Sequence, residues 1–107
     1  MPHLSFRAVE AHIVESLVPS LLNELSSLLS TARNVYTFEL INTQYFAEGE
    51  VNPMVEVLWF GREQLTQNQV AQMITEQIRQ LLGADSHVAV VFIPLQRTAY
   101  YRDGQHF

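Results

Sequence analysis

One pattern restricts the fold more than any other: a strand, a helix and a strand, followed by the same three again, within 107 residues. Residues 2–8 alternate, with Leu4 and Phe6 to one side and His3, Ser5 and Arg7 to the other, as in a half-buried strand. From residue 10 to residue 30 the period lengthens. Ile13, Leu17, Leu21, Leu25 and Leu28 recur every three or four residues, and Val14, Val18, Leu22 and Leu29 widen the stripe into a core-facing helix. Pro19 removes one hydrogen bond from that helix and predicts a kink over 15–19. Residues 35–46, rich in aromatic and β-branched types, read as a second strand. Gly49 and Pro53 bound a loop, 54–60 read as a third strand, and Gly61 closes it. Thr66 and Gln69 have capping-box spacing for a second helix, with Leu65 and Val70 as a hydrophobic staple and Gly83 as a left-handed C-terminal cap. Residues 87–95 are a fourth strand, apolar on both faces.

Pro2 and Pro53 open the two halves, roughly fifty residues apart, and Val35 and Val88 both begin the strand after the helix. The halves, about 2–46 and 53–95, are two copies of one unit, and no low-complexity segment separates them. The chain is thus a single domain, 1–107, of class α+β: an α/β sandwich with two helices on one face of a four-stranded mixed sheet. Two architectures satisfy the order. A ferredoxin-like sandwich joins strands 2 and 3 as a hairpin; the alternative keeps each unit's strands parallel and adjacent and sets the halves antiparallel. Periodicity leaves both open. The tail, 96–107, carries an Asp103-Gly104 hairpin signal and is expected to lie on a neighbouring subunit.

Charge enters where the open sheet face must be covered. Only 16% of residues are charged, against a typical quarter, and strand 4 needs cover on two sides. A homo-oligomer packed sheet to sheet meets both conditions. The net charge of −5 argues against nucleic-acid and membrane-surface partners. No run approaches the length of a bilayer span, and no secretory signal is visible, so a cytoplasmic location is expected.

The missing residue types exclude most covalent chemistry. Without Cys there is no thiolate nucleophile, and without Lys there is no Schiff base. The four glycines, at 49, 61, 83 and 104, form no phosphate or dinucleotide loop. The four histidines lack metal-ligand spacing, so no metal and no cofactor is expected. One position offers chemistry that needs neither. Pro2 follows the initiator Met, which processing normally removes before a small residue, leaving a secondary amine. An α-amino group ordinarily titrates at about 7.7–8.0. Apolar surroundings and nearby Arg lower that value and make the neutral amine a general base.

The start Met-Pro-His-Leu-Ser-Phe-Arg, the doubled unit, the segment Val55 to Arg62 and the ending Tyr100 to Phe107 resemble a small uncharacterised bacterial family. That family is grouped with the tautomerase and macrophage migration inhibitory factor superfamily. The resemblance covers essentially the whole chain. It implies the second architecture, as a trimer whose sheets surround a central channel. It also implies that Pro2 moves a proton between carbon and oxygen of a small enolisable oxo acid, with basic residues holding the carboxylate.

Beyond Pro2 the carry-over is partial. Cytokine-type members have a Lys before the second strand, where this chain has Ala32 with Arg33 beside it. They have a basic residue after the third strand, where Arg62 falls. Their fourth strand carries a Tyr and an Asn, where this chain has Ala89 and Val91. Tyr100, Tyr101 and His106 of the tail are the candidates to replace that polar wall, across a subunit boundary. Glu39 and Glu56, charged residues inside strands, are expected to pair with Arg7 or with an Arg of a neighbour. Two other functions remain open: a non-catalytic oligomeric binding or scaffold protein of the same fold, and a ferredoxin-like small-molecule sensing domain.

Overall fold

The computed structural model describes residues 1–107. In chain order its elements are β1 (His3–Arg7), α1 (Ala11–Leu29), β2 (Thr37–Leu40), β3 (Met54–Phe60), α2 (Gln64–Leu82) and β4 (Ala89–Leu95), then a hairpin of β5 (Tyr101–Arg102) and β6 (Gln105–His106). The main sheet has the order β2-β1-β3-β4. β1 and β2 run parallel, with His3 beside Thr37 and Phe6 beside Leu40. β3 and β4 run parallel, with Met54 beside Ala89 and Phe60 beside Leu95. β1 and β3 meet antiparallel, with His3 opposite Leu58. Each strand-helix-strand unit keeps its own strands together, so the ferredoxin-like alternative, which pairs β2 with β3, is excluded.

The alternation along the strands sorts the two faces. Leu4, Phe6, Val55, Val57 and Trp59 lie beneath the helices with almost no exposed surface. Val14, Leu17, Leu21, Leu25 and Leu29 of α1 and Val70, Ile74 and Ile78 of α2 complete that core. Pro19 sits inside α1, which runs unbroken from Ala11 to Leu29. The open face divides into a polar and an apolar half. Over β1 and β2, the Ser5 hydroxyl donates to Glu39 Oε1 at 2.8 Å, and His3 Nε2 lies 3.2 Å from the same oxygen. Arg7 pairs with Glu56 as expected, whereas Glu39 takes Ser5 and His3 instead of an Arg. On β4 of the same face, Val91 and Ile93 remain 43% and 40% exposed.

Three elements, β2, β4 and α2, depart from the bounds the sequence predicts, each for a local reason. β2 covers only 37–40 of the expected 35–46. It is an edge strand whose only partner is β1. The last ladder bond is from Ile41 N–H to the Phe6 carbonyl, 2.9 Å, after which Ala8 turns away at φ 58°. β4 begins at Ala89, opposite the first residue of β3, and not at His87. α2 begins at Gln64, with Glu63 and not Thr66 at the cap. The Glu63 carbonyl takes the first helical bond from Gln67 N–H, and Gln64 bonds to Asn68 one turn on, so the helix gains a turn ahead of the capping box. Leu65, 68% exposed, forms no staple with Val70. Gly83 does end α2, but at φ 123° and ψ 148°, a region open only to glycine and outside the left-handed helical one.

The tail forms the expected hairpin, with Asp103 at φ 53° and Gly104 at φ 79° in a turn that follows the strand twist. It packs on its own chain. Tyr100 and Phe107 stand 5.3 and 5.6 Å from the Phe60 ring, at the end of β3.

Candidate functional site

The topology gathers four chain segments at one end of the sheet. Because β1 opposes β3, Pro2 comes beside Trp59. Because β3 and β4 run parallel, their C-terminal ends lie side by side. Arg62 and Arg97 therefore hold matching places, two residues beyond each strand. Because β2 runs with β1, the turn Arg33–Val35 that leads into β2 reaches the same end. A cavity of about 360 Å³ opens there, lined by Met1, Pro2, Phe60, Arg62 and Arg97, with Trp59 at its buried side. A second cavity of about 300 Å³ adjoins it, lined by Met1, Asn34, Thr37, Tyr100 and Arg102 among others. Met1 is the wall common to both.

Pro2 is buried, and its carbonyl accepts the Thr37 N–H at 3.2 Å, which anchors it to the edge strand. Its nitrogen is an amide while Met1 is attached and becomes a secondary amine once Met1 is removed. The Met1 ammonium itself donates to the Val35 carbonyl at 3.1 Å. Partial burial, and secondarily the Arg102 charge, hold its pKa below the ordinary 8.0. The Met1 amine is therefore biased toward its neutral form.

Arg62, Arg97 and Arg102 have no carboxylate partner. The ion pairs of the chain are His3–Glu39, Arg7–Glu56 and His12–Glu10, all elsewhere. Half of the six arginines of a chain with net charge −5 thus surround Met1 without neutralisation. Arg97 lies over the Phe60 ring, 4.8 Å from its centroid. The Trp59 indole N–H, wholly buried beside the cavity, has no hydrogen-bond acceptor. No three His, Asp or Glu side chains converge in a way that could hold a metal ion.

Of the residues singled out from sequence, Pro2 and Arg62 share the first cavity, and Tyr100 lines the second. Arg33 is turned to Asn23 Oδ1 on α1 and lines neither. Tyr101 and His106 pack edge to face with each other at 5.8 Å on the exposed hairpin, also outside both cavities. Sequence reasoning missed Arg97 and Arg102. Arg97 had a usable signal: in the parallel architecture, the residue two beyond β4 must sit next to the residue two beyond β3.

The chain belongs to the family described as Domain of unknown function (DUF1904), whose sequence pattern matches residues 1–106. A protein of unknown function from Vibrio cholerae O1 biovar eltor is 88% identical, over 99% of this chain and 87% of that one, with a TM-score of 0.96. A macrophage migration inhibitory factor homologue from Prochlorococcus marinus, 21% identical over 99% of each chain, has a TM-score of 0.76. A fused 4-OT, solved as an asymmetric trimer and 15% identical over 98% of this chain and 95% of that one, has a TM-score of 0.79. No curated protein matches the chain. The fold is that of the tautomerase and macrophage migration inhibitory factor superfamily.

Proposed function

We propose that the mature chain, freed of Met1, is a tautomerase-like protein in which the Pro2 amine acts as general base on a small enolisable oxo acid. The observation that carries this reading is a buried Pro2 in a cavity with two guanidinium groups, Arg62 and Arg97, that have no carboxylate of their own. The neutral nitrogen takes a proton from the carbon next to the substrate carbonyl. The C–H pair becomes the carbon–carbon π bond, the carbonyl π pair moves to oxygen, and the proton is returned to that oxygen as the enol forms. Arg62 opposes the charge that develops on the enolate. A monofunctional base of this kind needs no metal or organic cofactor. We further propose a homotrimer, sheet face to sheet face. The exposed Val91 and Ile93 support this, and so does the trimeric state of the fused 4-OT that shares the fold.

The test is keto-enol turnover of arylpyruvates and muconate-type acids by protein shown by intact mass to lack Met1. Pro2→Ala should lower kcat/KM by about a hundredfold, within the usual range for loss of a positioned base. Equal rates in the two proteins would remove Pro2 from the mechanism. In the wild type, kcat/KM should fall as pH drops through an amine pKa below the ordinary 7.7–8.0, because protonation removes the base. A non-catalytic oligomeric binding protein is the second reading, favoured by apolar Ala89 and Val91 where the resembled members carry Tyr and Asn. An unblocked Pro2 with no turnover on this panel would select it.

A further inference from the structure

We infer that Arg97 is the principal anchor for the carboxylate of the ligand, and that Phe60 positions it. The inference rests on the anionic-ligand reading of the Pro2 cavity but not on catalysis there. Arg97 leaves β4 on the short turn Arg97–Ala99, on the rim shared with Arg62. Its guanidinium lies over the Phe60 ring and meets no carboxylate. A guanidinium resting on an aromatic face keeps its in-plane N–H groups free, in the fork that suits a carboxylate. The ring under it is itself fixed. Tyr100 meets Phe60 edge-on, Phe107 stacks against it, and the two tail rings stand 4.8 Å apart. The tail hairpin thus braces the anchor from behind. Both guanidinium groups are exposed, but Arg62 has no aromatic ring beneath it.

Trp59, the only tryptophan, borders the cavity, so its fluorescence reports occupancy independently of turnover. The experiment titrates phenylpyruvate into mature wild-type protein and into Arg97→Gln, Arg97→Lys, Phe60→Leu, Phe60→Tyr and the remote Arg79→Gln. Loss of a bidentate charged contact should weaken binding about tenfold or more in Arg97→Gln, with Arg97→Lys in between. Phe60→Leu should weaken binding several-fold and Phe60→Tyr should restore it. Arg79→Gln should bind as wild type does. In turnover, the Arg97 effect should fall on KM more than on kcat. Unchanged affinity in Arg97→Gln, or no saturable signal in the wild type, overturns the anchor. So does a Phe60→Tyr as weak as Phe60→Leu, for the positioning role. Binding that depends on Arg97 without turnover in any protein would keep the anchor and remove only the tautomerase reading.

Discussion

Glu39 shows how a charge is kept inside a strand without a direct ion pair to an arginine. The Ser5 hydroxyl bond, then the His3 ring, hold its carboxyl below the ordinary 4.5. A carboxylate whose pKa is lower folded than unfolded adds stability that is present above the unfolded value. That stability is lost as pH falls through the folded value. Glu39→Gln should therefore lower stability modestly at pH 7, with the two proteins converging as pH falls below about 4.5, as read from urea midpoints across the range. The same open face carries the Arg7–Glu56 pair, so two of the three ion pairs of the chain lie where sheets would meet. Arg62 and Arg97 differ from these: they are cations with no carboxylate opposite them.

The tail hairpin shows how an element with almost no buried surface can still matter to the site. Its turn needs φ 79° at Gly104, where a Cβ would meet nothing within 4 Å. Substitution is thus costly through the backbone alone. Gly104→Val should destabilise the hairpin by about 1–2 kcal/mol and speed amide exchange over 101–106, while the global unfolding midpoint holds, because no tail residue belongs to the core. Much at this scale was legible in the sequence. The bounds of β3, both helical stripes and the hairpin turn follow from periodicity and turn chemistry. The end of β2 was not legible, because 41–46 has strand propensity and lacks only a neighbour, and a neighbour is a property of the sheet. The site divides the same way. Pro2 and Arg62 are tied to strand ends and could be placed. Arg33 lies on a turn, and Tyr101 and His106 on the short strands of the tail hairpin; their side-chain directions follow from packing, and that packing points them elsewhere.

At the scale of the molecule, one sheet face is sealed by helices and the other is sealed by nothing in the chain itself. Val91 and Ile93 give that face an apolar strip on β4, beside the polar cluster of β1 and β2. If copies meet there, Val91→Glu buries a charge without a partner and should shift the protein to a monomer in light scattering, with its helical signal retained. A variant that keeps its assembly would place the contact on another surface. The internal duplication also reaches beyond symmetry of shape. The opposite end of the sheet has its own hollow, of about 370 Å³, bounded by Ala8, Val9, Glu10, Asn42 and Tyr45, near the start of the second half. There Pro53 stands where Pro2 stands in the first half, but its nitrogen is locked in the main chain and no processing step can release it. If processing frees Pro2 as proposed, a chain holding both units has one corner where a free imino group can form, and the other keeps the acidic and phenolic lining of Glu10 and Tyr45.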